Sequence, residues 1–208
     1  MSIRFSRFSR TALLGGLLAL LSACSILPEP ERLRIFLLPA SDSTQTASPQ
    51  LQKALRILTP QANRILSSPR IAVVPHGNEI SAYRGARWSD AAPVLLRDRL
   101  IEAFRQDGRL PSASNEDDNL PADLALHSDL RAFQSVYVED APQVLIRLDA
   151  RLINQHNHQM LASRRFESRQ PSADPSVEKV VEAFGLASDR LSREVLDWTI
   201  DQARTLEP

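Results

Sequence analysis

At 208 residues, 43% of them hydrophobic and 24% charged, the chain holds enough apolar material for a folded core of about one domain. Its 25 basic and 25 acidic residues balance, and without Arg4, Arg7 and Arg10 the basic count falls to 22 against 25, a net charge of −3. That balance argues against a nucleic-acid surface, which needs an excess of cationic side chains to meet phosphates. Cys24 is the single cysteine, so no disulfide can staple the chain and its stability has to come from packing.

Arg4, Arg7 and Arg10 form a cationic head, and residues 11–21 are apolar or small throughout. This is the layout of a secretory signal, with an apolar stretch shorter than the roughly 20 residues a membrane-spanning helix needs. Leu21-Ser22-Ala23-Cys24 closes it and resembles the lipobox of bacterial lipoproteins. The resemblance implies a signal peptide over residues 1–23, and lipidation of Cys24 as the mature N-terminus. A diacylglyceryl group with a further acyl chain would hold the protein stably at a membrane surface, because two or more chains anchor where one does not. By the sorting rule that comes with the resemblance, Ser25 in place of an aspartate points to the outer membrane, on its periplasmic side.

Residues 24–31 carry Pro28 and Pro30 and read as a tether to a domain spanning 32–208. Leu33, Ile35 and Leu37 alternate with Arg32 and Arg34, a pattern that predicts a first strand ending at Pro39. Residues 41–50 are rich in Ser, Thr and Gln and read as a polar loop. Leu51, Leu55 and Leu58 would suit a helix, and Leu55, Ile57 and Thr59 a strand, which is the preferred reading. Ile71, Ala72, Val73 and Val74 form a short buried strand before Pro75. A further strand follows near residues 78–83, punctuated by Gly77 and Gly85.

Asp90 is placed to cap a helix with Pro93 in its first turn, where a missing N–H costs nothing, and Gly108 supplies the stop. Leu96, Leu100, Ala103 and Phe104 line one face of that helix. Residues 111–121 read as an exposed acidic loop. Leu124, Leu126, Leu130, Ala132, Val136 and Val138 share one parity, as do Val144, Ile146, Leu148, Ala150 and Leu152, so two antiparallel strands are expected across a turn at residues 139–142. A second turn at 154–158 leads to a third strand over 160–167. Asp174 and Pro175 are read as cap and first position of a last helix. Its stripe runs through Val177, Val181, Phe184, Leu191, Val195 and Trp198, with Ser188 in the gap. The fold class expected is α+β, a mainly antiparallel sheet with two amphipathic helices packed on one face.

Chemistry is sparse. His156 and His158 lie two apart in a polar turn, without the three or four ligands a metal site needs, and His76 and His127 are isolated. No nucleophile elbow, phosphate loop or dinucleotide fingerprint is present. No catalytic residue, cofactor or metal is therefore expected. The Arg87-Trp88 pair is the candidate interface: tryptophan and arginine are enriched at binding hot spots, although Trp88 also suits a staple at the helix entry.

Ser68-Pro69-Arg70-Ile71, Asn78-Glu79-Ile80 with Tyr83, and Arg87-Trp88-Ser89-Asp90 ahead of a leucine-rich helix resemble the auxiliary lipoprotein component of ABC-type transport systems, the group that includes paraquat-inducible protein C. The order of elements, the lipobox and the last helix agree with that family. The resemblance implies an outer-membrane lipoprotein without catalytic residues. It would dock an MCE-domain substrate-binding protein and an ABC permease and ATPase that move lipid between membranes, with self-association into a ring compatible with that role. A lipid-binding carrier, an assembly lipoprotein of another envelope machine and a membrane-anchored hydrolase are the competing readings.

Overall fold

The computed structural model describes residues 32–40 and 51–205. Nine strands and two helices follow in the order β1 (Arg34–Phe36), β2 (Ala54–Ile57), β3 (Gln61–Ala62), β4 (Arg70–Val74), β5 (Ser81–Trp88), α1 (Ala92–Asp107), β6 (Ser112–Ser114), β7 (Leu124–Val138), β8 (Ala141–Asn154), β9 (Met160–Pro171) and α2 (Val177–Arg204). The polar stretch 41–50 and the signal and tether lie outside the described residues.

The sheet is organised by β7. One edge of this 15-residue strand pairs antiparallel with β8, which pairs antiparallel with β9. Three short strands line its other edge in turn, all parallel: β2 at Leu124, β3 at Asp129 and β4 at Gln134. β4 then pairs antiparallel with β5, β5 parallel with β1, and β2 parallel with β6. The expected α+β class holds and the long pairings of β7, β8 and β9 are antiparallel, but the sheet is mixed, because the short strands β1, β2, β3, β4 and β6 enter it through parallel pairings. Hairpins are legible from adjacent turns, whereas parallel partners come from distant parts of the chain and leave no local mark.

The β7–β8 hairpin turns on Glu139 and Asp140, both left-handed at φ 50° and 63°, the conformation that matches the twist of two-residue hairpins. On β8 the expected parity holds without a break: Val144, Ile146, Leu148, Ala150 and Leu152 are all buried. On β7 it does not. The register slips between Leu130 and Ala132, so Phe133 and Ser135 turn inward while Val138 ends up exposed. A β-bulge adds one residue to one strand and reverses the facing of everything after it.

Helix α1 begins at Ala92 with Pro93 in its first turn, and it stops at Gly108, whose φ of 74° lets its N–H reach Phe104 O. Asp90 does not cap it as expected. Its carboxylate accepts from the adjacent Ala91 N–H, and Ala91 is the N-cap residue. Helix α2 starts two residues later than expected, with Ser176 at the N-cap; Asp174 accepts from the Ser176 N–H at 2.7 Å, ordering the entry from outside the helix. The stripe of Val177, Val181, Phe184, Ser188, Leu191, Val195 and Trp198 is buried along its whole length. Aliphatic and aromatic side chains of this kind contribute about 1.5–3 kcal/mol each on full burial. The segment expected to be an exposed loop contains β6, whose Ala113 and Ser114 are buried against β2.

The helices are pinned to each other and to the chain after β1. Arg99 of α1 is buried and its Nη1 lies 3.3 Å from Asp189 Oδ1 of α2. Its Nη2 donates to Leu38 O at 3.2 Å and to Pro39 O. Gly185 of α2 faces the same strap: a Cβ there would fall 2.9 Å from Pro39 O.

Candidate functional site

β5 ends in two residues with opposite fates. Trp88 has no exposed surface, and its indole meets Phe184 edge-on at 5.1 Å and Phe133 at 6.0 Å, while those two rings stack at 4.8 Å. One ring comes from β5, one from β7 and one from α2, so this trio ties the sheet to the last helix. The Trp88 backbone N–H donates to Pro69 O at 2.7 Å and the Ser89 N–H to Phe36 O at 2.8 Å, which locks the end of β5 to the strands on either side. Of the candidate pair, Trp88 therefore has no surface to offer a partner, and the packing that the sequence also allowed is what it does.

Arg87 points the other way and is exposed. Its register neighbours are Ile35 on β1 and Arg70 on β4. Ile35 is 57% exposed, and Leu33 and Leu37, flanking β1 at the same parity, are exposed too. The sequence pattern correctly marks β1 as extended but does not say which face turns inward: it is Phe36 and Leu38 that pack on the core. Gly85, expected to punctuate a strand, lies inside β5 with φ 63°, a left-handed conformation that glycine adopts without strain. Beside Arg70, an open groove of about 460 Å³ is lined by Arg64, Ile65, Ser68, Ile80 and Ser81.

Farther along the sheet, the same register places a ladder of ion pairs. Asp129 and Asp149 sit directly opposite each other on β7 and β8. Arg131, at the bulge, reaches both, at 3.5 and 3.0 Å; Arg151 meets Asp129 at 3.0 Å, and Arg165 meets Asp149 at 2.5 and 2.8 Å. The Arg165 hydrogen bonds lower the pKa of Asp149 to about 2. Glu167 is held below the usual carboxylate range in the same way, by Arg147 and then Arg169.

The histidines are dispersed. His156 Nε2 lies 3.1 Å from Asp123 Oδ1 in the β8–β9 turn, His158 takes a left-handed φ of 57°, and His127 has its pKa lowered, mainly by burial. Among the described residues no three His, Cys, Asp or Glu side chains converge as a metal site would require, nor does any described helix have the length and apolarity to cross a membrane. Cys24 lies outside the described residues.

The family model for the ABC-type transport auxiliary lipoprotein component matches residues 36–196. The chain belongs to this family. The match runs through the auxiliary lipoprotein from the last residue of β1 to Leu196 in α2, so it includes the Arg70, Arg87 and Trp88 positions, all of α1 and most of α2. The fold is similar to the crystal structure of protein XCC0632 from Xanthomonas campestris, with a TM-score of 0.76, 30% identity, and 82% of this chain and 97% of that one covered. The structure of the hypothetical protein CT253 from Chlamydia trachomatis has the fold alone in common, at 13% identity and a TM-score of 0.50, covering 74% of this chain and 99% of that one. An uncharacterised protein of Bradyrhizobium diazoefficiens is 28% identical over 154 residues, 74% of this chain, and the chain spans 41% of that relative's length.

Proposed function

We propose that the protein is a non-catalytic docking component of an ABC-type, MCE-associated lipid transport system, held on the periplasmic side of the outer membrane by acyl chains on Cys24. The single observation that carries this reading is the family match over residues 36–196, taken with the lipobox that ends at Cys24. In this reading both helices cover one face of the sheet: the Trp88–Phe133–Phe184 cluster supports this for α2, and the Arg99–Asp189 pair joins α1 to α2. The other face then offers rows of arginine and carboxylate for polar recognition of the MCE-domain protein. Tethering to the membrane raises the effective concentration of a partner reaching across the periplasm, so a weak interface suffices.

The carrier alternative calls for an apolar cavity between helices and sheet. That space holds a continuous cluster of buried side chains, including Trp88, Phe104, Phe133, Phe166 and Phe184, which favours the dock. Crosslinking in intact cells followed by recovery of this protein from membranes tests the proposal. The ABC permease and the MCE-domain protein are expected in the crosslinked product; recovery of neither, in a cell that makes both, contradicts it.

A further inference from the structure

Leu33, Ile35 and Leu37 turn outward with 53%, 57% and 74% of their surface exposed, although Phe36 on the same strand already supplies its inward contact. β1 is an edge strand. Edge strands in water are ordinarily blunted by charge, as β9 is by Arg165, Glu167 and Arg169. β1 carries one charge, Arg34, which pairs with Glu178, but its outward face presents an apolar row.

The charges next to that row are unusual in a second way. Arg87 lies beside Ile35, and Arg70 lies directly across the ladder from Arg87. Like charges opposed across strands repel. Arg131, Arg147, Arg151, Arg165 and Arg169 of β7–β9 are instead compensated by pairing with Asp129, Asp149 and Glu167. Among the described residues, Arg70 and Arg87 have no carboxylate partner, and Arg64 joins them at the groove beside Arg70. Three outward aliphatic side chains bordered by guanidinium groups without a carboxylate partner among the described residues match the boundary of an anionic bilayer. There the aliphatic groups enter the acyl region and the cations meet headgroup phosphates.

The chain length outside the described residues agrees. Cys24 precedes Leu33 by nine residues, a span of at most about 30 Å fully extended. A body anchored at Cys24 therefore keeps β1 within that distance of the headgroups. We infer that the face formed by Leu33, Ile35, Leu37, Arg70 and Arg87 is the surface on which the folded body rests against an anionic membrane. This rests on the anchored-lipoprotein reading above and adds an orientation to it: β1 and β5 face the lipid, and the β7–β9 ladder is left for the protein partner.

The test uses the lipidated protein inserted into phosphatidylcholine vesicles with or without phosphatidylglycerol. Acylated Cys24 offers no free thiol, so an environment-sensitive dye can be placed on Ile35→Cys alone, or on Met160→Cys at the far end of the sheet as a control. In vesicles containing phosphatidylglycerol, the dye at position 35 is expected to shift to the blue and be quenched by brominated lipid, while the dye at 160 stays in water. Arg70→Gln and Arg87→Gln, both surface changes expected to leave the circular dichroism spectrum intact, should each lower the docked-to-undocked ratio about fivefold, and added salt should lower it further.

A dye at position 35 that stays in water in both vesicle types overturns the inference. So does a shift that follows protein density rather than lipid charge, which would make a second copy the occupant. If mass analysis finds no acyl chain on Cys24 but the dye still reports anionic lipid, the anchor reading fails and the lipid face stands.

Discussion

Asp129 and Asp149 face each other across β7 and β8, an arrangement that would be repulsive if nothing lay between them. Arg131 resolves it because the bulge sets its guanidinium where it can reach both carboxylates. Arg165 adds a two-pronged contact to Asp149 from the neighbouring strand, and this is what lowers the Asp149 pKa from 3.8 to about 2. A carboxylate whose pKa is depressed by folding stabilises the native state above its unfolded value and loses that contribution as pH falls through the folded one. For Asp149 the window runs from about pH 4 down to about pH 2. Asp149→Asn is therefore expected to flatten the loss of stability across that window, read from urea midpoints at successive pH values. An unchanged acid limb would show that the ladder is not formed in solution. Arg87 and Trp88 make the complementary residue-scale point: adjacent in sequence, they lie on opposite faces of β5, one exposed and one enclosed in aromatic rings.

At the scale of elements, the strap that follows β1 is set by α1 and α2 together. Arg99 holds Leu38 O and Pro39 O while its charge is met by Asp189, and such a buried pair is far more costly to break than to leave intact. Gly185 completes the seat. In an open helix interior Gly→Ala gains about 1 kcal/mol, but here the new methyl carbon would meet Pro39 O at 2.9 Å and Pro39 Cβ at 3.0 Å. Gly185→Ala is expected instead to destabilise the protein by about 1–3 kcal/mol in urea unfolding, and a gain in stability would show that the strap is not seated on α2. Which elements were legible follows from the same local physics. The buried stripe of α2, the β7–β8–β9 meander and the Gly108 stop are written in period and turn residues. The bulge at Arg131 was not, because an inserted residue looks identical to its neighbours in a pattern of alternating hydrophobicity. Nor was β3, whose two residues carry no period at all. The outward set of β1 escaped too, since Leu33, Ile35 and Leu37 read as a core face until Phe36 is seen to occupy that side.

At the scale of the whole molecule, family membership and fold agree: an ABC-type transport auxiliary lipoprotein, similar in structure to the Xanthomonas campestris protein over 82% of the chain. The family was readable from three short motifs, and the structure supplies the physical reason for two of them. Pro69 receives the Trp88 N–H, Arg70 and Arg87 meet across β4 and β5, and Trp88 ties α2 to the sheet. The free face was not readable, because it depends on which arginines find carboxylates, and that is decided by strand register. The docking role proposed for the protein depends on an acyl anchor at Cys24. Its most direct test is membrane fractionation of the wild-type and Cys24→Ala proteins with mass analysis of the N-terminal peptide. The prediction is an acylated, cleaved wild-type protein in the outer-membrane fraction, and a Cys24→Ala variant that is neither acylated nor cleaved at that point and is lost from the outer membrane. A variant processed and retained like the wild type would contradict the account.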